Sequence, residues 1–576
     1  MVLEEPRFDC FSLVAKNGTE IVANQKKFTI HHGCDYRVLD VPGYEPIVFG
    51  CPPGLVKDFA KRKSKLPRHY VFPTQTVVRG VNIFDFEFVI YSFLFFEPEA
   101  SRVTVYCTLD QRARFKSILT ETLFGPSLSH LLQAQNYKWT KKQNFSIPEL
   151  KRFNTFLRKI TKNNKLKKLF DESLRSHSSE KRIEKDVCLL LKDLVFKEKW
   201  LSEKSCTRLS ETLAASYCVC MQIKNEMDGF ALVDEAGQDE FLNKIVDFRL
   251  FDKMNCVEIQ NDSGKKAPLK IKKRKCLDFE FFRKNTKLGS LELSPEGDSG
   301  TAVMAPAMKK PFMGVSFLGV GSGFSPKRRN SCLIAWSEGK GIMVDSVSGQ
   351  SQILAEYGLC ENDVSCIFLT HVHSDHDVGL LERILSERKT QIISTRIIFE
   401  SFLRKLEAVS GMSCGFFEQF IDFIEVEAQK PKLLPGFKST YFTFDYSFHS
   451  IPTGRFRLAY IDPEGKETVV SHSGDTKFNA ELVGELYNQG KLSKKRRDDI
   501  MGFIWEADLI VHDVGGGSLH TKLSELDGLK KSVMKKMVLV HQHEDPLNKS
   551  KFEFACEGQT KVVIQSDPNG KPKKGR

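Results

Sequence analysis

One short stretch constrains the fold of this chain more than any other. Ile367–Gly379 opens with four apolar or β-favouring residues and then presents His371, His373, Asp375 and His376 within six positions. The chain has only 14 histidines in 576 residues, so three in one turn are unusual. A strand ending in such a cluster places several metal-binding side chains at one sheet edge, and imidazoles with carboxylates suit zinc, manganese or iron. The stretch therefore predicts a metal site, and the plain alternative is a polar turn.

A glycine-rich turn precedes this stretch, within Val315–Trp336. Its glycines allow a tight turn between two predicted strands, and Lys327, Arg328, Arg329 and Asn330 follow them closely. Exposed backbone N–H groups beside positive charge suit a phosphate. The simpler interpretation is a hairpin between the first two strands of a domain.

The histidine cluster matches the HxHxDH signature of the metallo-β-lactamase superfamily, which the chain resembles from about residue 315 to 565. The resemblance implies an α/β fold with an αββα sandwich and two divalent metal ions, zinc first, with Mn²⁺ or Fe²⁺ as alternatives. By that resemblance Asp475 bridges the two ions, whose ligands are His371, His373 and His449 for one, and Asp375, His376 and His541 for the other. Two such ions can lower the pKa of a shared water and clamp a phosphodiester. His472 and His543 are predicted to lie outside this set.

A later segment, Ala507–Thr521, points to the substrate. An apolar strand delivers His512 and Asp513 to a glycine turn, which presents His520 and Thr521. An imidazole oriented by a carboxylate is a competent general acid. In phosphodiesterases of the superfamily a similar pattern donates the leaving-group proton, so His520 and Asp513 join Asp375 as predicted catalytic residues. Lys327, Arg329, Asn330 and Thr521 are predicted to bind phosphate or substrate.

Two kinds of phosphodiesterase resemble this pattern. The compact His-Asp…His-Thr segment looks like bacterial cyclic-nucleotide phosphodiesterases, which implies hydrolysis of cAMP or cGMP to the 5′-nucleotide by a hydroxide activated at the two ions. The sequence Ser325–Asn330 is similar to tRNase Z, an RNA 3′-processing endonuclease, but no glycine- and proline-rich arm lies between His376 and His449. A nucleotide-sensing scaffold with an inactive hydrolase fold is the third hypothesis.

Composition limits the location and partners. The chain carries a net charge of +13, which is compatible with a phosphodiester substrate, either a cyclic nucleotide or RNA. Fifteen cysteines without a disulfide spacing indicate reduced thiols, and no signal peptide or membrane-spanning run is apparent. These features predict a cytoplasmic protein with no membrane partner, and a homodimer is left open.

The N-terminal half is predicted to be an α+β region with a helical layer, and no motif in its sequence indicates a function. Five segments are expected: an α+β domain at 1–130, a mainly helical region at 131–260, a linker at 261–310, the hydrolase domain at 311–565 and a disordered tail at 566–576. Ser146-Ile-Pro-Glu149 predicts a helix start, followed by apolar residues at helical spacing. The apolar run Phe86–Phe96 is interpreted as a buried strand. No internal repeat is evident in the sequence.

Overall fold

The computed structural model describes residues 19–23, 26–33, 35–73, 83–96, 102–198, 203–261, 267–293, 305–385, 389–543 and 550–565. The predicted disordered tail, 566–576, lies outside these residues. The described chain forms two units, each discontinuous in sequence. The first draws on Met1–Ile118, Gly237–Thr301 and Glu407–Met412, and the second on Leu119–Ala236, Ala302–Leu406 and Ser413–Arg576.

The first unit contains a seven-stranded sheet whose strands follow one another in chain order. Its strands are β1 (Thr19–Ala23), β2 (Lys26–Gly33), β3 (Tyr36–Asp40), β4 (Ile47–Phe49), β5 (His69–Val71), β6 (Val103–Cys107) and β7 (Val246–Leu250). Pairing is antiparallel from β1 to β4 and parallel from β4 to β7. The connecting helices are α1 (Leu55–Lys61), α2 (Phe86–Phe95), α3 (Leu109–Leu119) and α10 (Gln238–Ile245).

The prediction of a strand at Phe86–Phe96 is wrong, because this run forms helix α2. Seven of its ten helical residues are buried, so the helix is apolar around most of its circumference. A short continuous apolar run fits a buried helix as well as a buried strand, and periodicity cannot separate the two.

The predicted linker at 261–310 is also wrong in its central part, which belongs to a four-stranded antiparallel sheet. Its strands are β8 (Cys256–Ile259), β9 (Leu269–Lys273), β10 (Asp278–Arg283) and β11 (Thr286–Glu292). In β9 the buried Leu269 and Ile271 alternate with outward-facing lysines. Phe279 and Phe281 of β10 pack on Phe49. The basic run is therefore the polar face of a strand with alternating burial.

A layer of helices at residues 128–228 belongs to the second unit. The helices are α4 (Leu128–Gln135), α5 (Tyr137–Gln143), α6 (Ile147–Thr161), α7 (Asn164–Arg175), α8 (Glu180–Lys197) and α9 (Glu203–Asp228). The predicted start of α6 is confirmed, because Ser146 and Glu149 form a capping box. Phe153, Phe156 and Ile160 are buried in the core that these helices share. No helix among the described residues has the length and apolar character needed to cross a membrane.

Two seven-stranded sheets form the rest of the second unit and confirm the predicted αββα sandwich. The first comprises β12 (Met313–Gly319), β13 (Cys332–Ser337), β14 (Lys340–Val344), β15 (Val364–Phe368), β16 (Thr390–Ser394), β17 (Ile421–Glu425) and β25 (Thr560–Ile564). The second comprises β18 (Lys432–Leu433), β19 (Thr440–Tyr446), β20 (Gly454–Ile461), β21 (Glu467–His472), β22 (Leu509–Asp513), β23 (Met537–Val540) and β24 (Glu553–Phe554). Phe368 of the first sheet packs on Phe442, Phe444 and Phe456 of the second.

Helices connect the strands within each sheet of the sandwich. The first sheet is connected by α11 (Gln350–Glu356), α12 (Ser374–Leu385), α13 (Arg396–Ser410) and α14 (Cys414–Glu418). The second is connected by α15 (Ala480–Asn488), α16 (Lys494–Gly502) and α17 (Lys531–Met534). None of the described cysteines is in a disulfide, and the reduced state that composition predicts stays a prediction.

The backbone topology contains a repeat that the sequence did not reveal. Strands β2–β7 and β12–β17 share one order, with two antiparallel pairings followed by three parallel ones. The helices α1, α2 and α3 stand in the same places in that order as α11, α12 and α13. Gly50 donates its N–H to the carbonyl of Val71 at 3.0 Å, and Asp345 donates to Phe368 at 2.9 Å. Many different apolar sequences can form the same arrangement of buried strands. The two sets of strands therefore share their topology without an evident repeat in the sequence.

Candidate metal centre and active site

Four strand ends and the segments that follow them bring the predicted metal ligands to one place. His371 and His373 follow β15, and Asp375 and His376 lie in the first turn of α12. The other ligands follow strands of the second sheet, namely His449 after β19, Asp475 after β21 and His541 after β23. All seven side chains are buried. A helix N-terminus favours negative charge, which suits Asp375.

Three histidines form the first group of this centre. His371 Nε2 lies 3.0 Å from His373 Nδ1, and His449 Nε2 lies 3.4 Å from the same atom. Asp475 Oδ2 is 3.8 Å from His371 Nε2. Burial, the largest cause, lowers the pKa of His449 to about 4 and holds the pKa of His371 and His373 well below their usual value. These imidazoles are therefore neutral at pH 7, as metal ligands must be.

Two carboxylates and two histidines form the second group. Asp375 Oδ2 lies 3.5 Å from His376 Nε2 and 3.3 Å from His541 Nε2. Asp475 Oδ2 lies 3.2 Å and 3.5 Å from the same two nitrogens, so this carboxylate borders both groups. Burial alone would raise the pKa of Asp475, but the neighbouring His376 and His541 outweigh it and hold the pKa below its usual value.

These groups fit divalent metal ions. Ligand atoms of four overlapping sets of side chains lie within 4.8 Å of one another, and the sets are His371/His373/His449, His371/His376/Asp475, Asp375/His376/His541 and Asp475/Asp513/His520/His541. His376 Nε2 is buried and has no hydrogen-bond partner among the described residues. This nitrogen lies 3.2 Å and 3.5 Å from two carboxylate oxygens without the geometry of a hydrogen bond to either, which is an arrangement that a bound cation would satisfy.

Outer contacts fix the orientation of the ligands, and sequence reasoning assigned none of them. Asp345 accepts from Thr370, and its Oδ2 lies 2.6 Å from His376 Nδ1. Thr370 Oγ1 lies 2.8 Å from His371 Nδ1. Such partners set the tautomer and direction of a ligating histidine. A strand ending in aspartate, Gly341–Asp345, is the one sequence signal that pointed to Asp345.

A turn of π-helix at Thr120–Phe124 supplies another outer contact. The Thr122 carbonyl lies 3.1 Å from His373 Nε2, across 251 positions of sequence. Glu121 anchors this turn, because it accepts from Arg404 Nε at 2.6 Å and from Ser401. A donor at Nε2 leaves Nδ1 of His373 with its lone pair towards the other ligands. The helical segment thus helps to complete the centre.

Backbone strain is present at two positions of the centre. Asp345 has φ +62° and His541 has φ +59°, which is the left-handed region that L-residues rarely adopt. Non-glycine residues persist there when surrounding contacts hold them, and such residues cluster at functional sites.

The predicted proton donor stands at the edge of the ligand cluster. His520 Nδ1 lies 3.0 Å from Asp513 Oδ2, and 20% of its side chain is exposed. Asp513 is buried and also accepts from the Gly515 N–H at 2.8 Å. Burial alone would raise the pKa of Asp513, but His520 outweighs it and holds the pKa well below its usual value. The carboxylate is thus charged and orients the imidazole.

Two further predicted histidines take structural positions. His512 is fully buried, stacks on Trp505 with ring centroids 5.4 Å apart, and has Nδ1 2.7 Å from the Asp513 carbonyl. His472 accepts from the Gly474 N–H at 2.9 Å. His472 therefore stays outside the ligand groups of the described residues, in line with the sequence interpretation.

The predicted phosphate-binding residues have varied surroundings. The guanidinium of Arg329 lies 2.5 Å from Glu356 and stacks over Tyr357. Thr521 is fully buried, donating to the Thr476 carbonyl at 2.8 Å and accepting from Phe478 N–H at 3.0 Å. Lys327 is exposed, and Asn330 Oδ1 is buried without a hydrogen-bond partner in the described chain. Binding of phosphate by these residues stays a prediction.

Comparison with known proteins finds similarity to phosphodiesterases. The family model "Anti-Pycsar protein Apyc1" matches residues 313–565. The chain is 27% identical over 502 residues to cAMP/cGMP-dependent 3′,5′-cAMP/cGMP phosphodiesterase B of Dictyostelium discoideum, covering 85% of this chain and 41% of that protein. It is 28% identical over 330 residues to cGMP-dependent 3′,5′-cGMP phosphodiesterase A of the same organism, covering 55% and 37% respectively.

A shorter match points to a second group of relatives. Zinc phosphodiesterase ELAC protein 2 of Rattus norvegicus is 32% identical over 138 residues, which cover 22% of this chain and 17% of that protein. The chain spans about two fifths of the length of the two Dictyostelium relatives. The expected resemblance to phosphodiesterases of the metallo-β-lactamase superfamily is confirmed.

Proposed function

We propose that the chain is a metal-dependent phosphodiesterase that hydrolyses 3′,5′-cyclic nucleotides, cAMP or cGMP, to 5′-nucleotides. The observation that carries this proposal is the pair of Asp513 and His520 at the edge of the buried ligand cluster. A histidine that is partly exposed and oriented by a buried carboxylate can give a proton to a departing alkoxide. The likeness to the two Dictyostelium phosphodiesterases supports the same substrate class.

Two divalent cations, zinc first, are proposed for the centre. His371, His373 and His449 would hold one, Asp375, His376 and His541 the other, and Asp475 both. When bound, such a pair supplies Lewis-acid stabilisation of the phosphoryl oxygens and lowers the pKa of water. Asp345, Thr370 and the Thr122 carbonyl keep the imidazoles in the tautomers that ligation requires.

In the proposed reaction, the residues of the chain itself donate a proton to the leaving oxygen. Water releases one proton to the solvent and its oxygen forms a bond to phosphorus, while the bond from phosphorus to the 3′-oxygen breaks. Because His520 Nδ1 faces Asp513, its Nε2 is the nitrogen free to protonate the 3′-oxygen. Asp513 contacts Nδ1 and holds the imidazole in place. Products are the 5′-monophosphate and a free 3′-hydroxyl.

An RNA 3′-processing endonuclease is the second candidate. It rests on the match to ELAC protein 2 and on the similarity of Ser325–Asn330 to tRNase Z. The third hypothesis, an inactive nucleotide-sensing scaffold, is weaker, because all seven ligand side chains come together.

A turnover assay that compares substrates tests the proposal. The purified chain with added Zn²⁺ or Mn²⁺ is expected to release 5′-AMP or 5′-GMP from the cyclic nucleotide, and to leave a pre-tRNA trailer uncut. Trimming of the trailer with cyclic nucleotides untouched would favour the endonuclease. Retention of metal without turnover of either substrate would favour the scaffold.

A further inference from the structure

Nearly all of the chain's excess positive charge lies in one helical segment. Residues 138–168 contain eleven lysines and arginines and a single acidic residue, Glu149, a net charge of +10. The whole chain has +13, so the other 545 residues are close to balanced. This segment forms α5, α6 and the start of α7 in the second unit.

Helix α6 presents much of this charge along one line. Its core face contains Phe153, Phe156, Leu157 and Ile160, all at most 2% exposed. With 3.6 residues per turn, the opposite face contains Ile147, Lys151, Arg158 and, at the C-cap, Lys162. These four residues, here called the basic stripe, are all exposed and extend over about 22 Å.

The cations of the stripe are not neutralised locally. Among the described residues, no ion pair is formed by Lys151, Arg158 or Lys162, whereas the neighbouring Lys159 pairs with Glu198 at 2.8 Å. Unpaired like charges on one helix face repel one another and lower stability. The arrangement is stabilised when an external anion lies against it.

An apolar residue stands at the end of the stripe. The side chain of Ile147 is 74% exposed, more than any other large apolar side chain of the described residues, and Leu150 one turn away is 40% exposed. Both lie in the first turn of α6, where the chain enters from α5. The apolar face of α6 is used in the protein core, but basic residues beside exposed apolar side chains can bind a surface of acidic headgroups, through charge and through burial of those side chains.

The same features fit a nucleic acid less well. Single strands are bound in basic grooves whose exposed aromatic rings stack on bases. Within 138–168 the aromatic side chains are buried or half-buried, and the rings of Trp139 and Phe145 pack against Phe153. The basic stripe thus lacks exposed aromatic rings on which bases could stack.

We propose that the basic stripe docks the protein on a lipid surface that carries acidic headgroups, with Ile147 and Leu150 entering the headgroup layer. Each lysine or arginine near such a surface strengthens binding about fivefold at moderate salt. Docking does not depend on the proposed phosphodiesterase activity. It replaces the sequence-based expectation that the protein has no membrane partner, and involves no spanning helix.

Vesicle co-sedimentation of the full chain tests this inference. Vesicles of phosphatidylcholine with about 30% phosphatidylserine are compared with phosphatidylcholine alone, at low and high salt. The variant Lys151→Glu/Arg158→Glu/Lys162→Glu is expected to bind acidic vesicles at least about a hundredfold more weakly. Ile147→Ser should weaken binding about tenfold without changing charge, because an apolar side chain is lost.

A matched control separates the stripe from net charge. Lys530→Glu/Lys531→Glu/Lys535→Glu makes the same change of charge at exposed positions around α17, and should bind like the unaltered chain. Unchanged melting temperatures of all variants establish that they fold. Equal sedimentation with both kinds of vesicle, or equal losses in both triple variants, would overturn the proposal. So would binding of single-stranded RNA through the stripe with no binding to vesicles.

Discussion

The two topologically equivalent sheets, β2–β7 of the first unit and β12–β17 of the second, differ at the ends of their strands. After β14 the left-handed position is Asp345, whose carboxylate holds His376. After β4 the equivalent position is Gly50, also left-handed with φ +83°, and it has no side chain to offer. The two sheets thus share one backbone topology. The sheet of the second unit carries the predicted ligands and the carboxylate that orients His376, whereas the sheet of the first unit has a glycine in place of that carboxylate.

The strand that leads to the ligands shows the same contrast. In the second unit β15 continues through Leu369 and Thr370 into His371. In the first unit β5 continues through the buried Phe72 and Pro73, and the sequence then has Thr74, three positions after Val71. The comparison teaches that topology positions a site, while a few residues at strand ends decide whether it carries chemistry.

The largest expected effect comes from removing a ligand. His373→Ala or Asp375→Ala should abolish turnover of cyclic nucleotide and reduce bound metal, because each dismantles one group of the centre. Thr76→Ala, five positions after Val71 as His373 is after Phe368, is the matched control and should leave both unchanged. Metal content by mass spectrometry and kcat measure the outcome. Loss of activity in the Thr76 variant would contradict the conclusion that only the strand ends of the second unit carry the chemistry.

Removing the proton donor should have the next largest effect. His520→Ala is expected to lower kcat on cyclic nucleotide about 10²–10⁴-fold, because the departing alkoxide is no longer protonated. Metal content should stay normal. Bis(p-nitrophenyl) phosphate is the control substrate, since nitrophenolate leaves without a proton, and its turnover should fall far less. An equal fall on both substrates would assign His520 another role.

The carboxylate that distinguishes the two sheets gives a smaller effect. Asp345→Asn keeps the shape but weakens the hold on His376, so metal affinity should fall about 10–100-fold. Glu121→Gln should act in the same direction through Thr122 and His373. Competition with a chelator measures both affinities. Unchanged metal affinity in both variants would show that these outer contacts do not contribute to metal binding.

Buried charge in the first unit should be visible in the pH dependence of stability. Burial raises the pKa of Asp85 to about 7, although the Val56 N–H partly opposes this. Because the folded state then binds a proton more tightly than the unfolded state, stability falls as pH rises from about 4 to about 7. The total loss is about 4 kcal/mol at most. Asp85→Asn should remove it, so the variant is more stable than the parent at pH 8 and similar at pH 4.5. Thermal unfolding across pH measures the difference.

The smallest expected effect concerns Gly50. An alanine at φ +83° is strained, and its Cβ would lie 3.2 Å from the Asp35 carbonyl oxygen. Gly50→Ala should therefore lower the free energy of unfolding by about 1–2 kcal/mol. Turnover and metal content should not change. A loss of bound metal in this variant would mean that the first unit contributes to the centre.

The sequence could predict the parts of the structure that depend on local pattern. The HxHxDH stretch identified the sandwich and pointed to side chains that come together in it, and Ser146 with Glu149 marked the start of α6. Long-range contacts were out of reach, because nothing in Glu121 or Thr122 indicates that His373, 251 positions away, lies beside them. Strand β9 was predicted to be part of a linker, because the lysines on its polar face give the segment the composition of a basic linker. Roles of the individual site residues stay predictions until the variants above are measured.

The discontinuity of the second unit has a consequence for how the protein can be made and divided. Its helical layer is translated before the sandwich, and the core that these helices share also contains Ile397 of α13, which emerges more than a hundred residues later. During that interval this part of the core is uncovered, and uncovered apolar surface is prone to aggregation or chaperone binding. For the same reason, a fragment that begins near residue 311 contains every predicted ligand yet lacks the Thr122 carbonyl. A cut at the domain boundary predicted from the sequence therefore removes one contact that orients a predicted ligand.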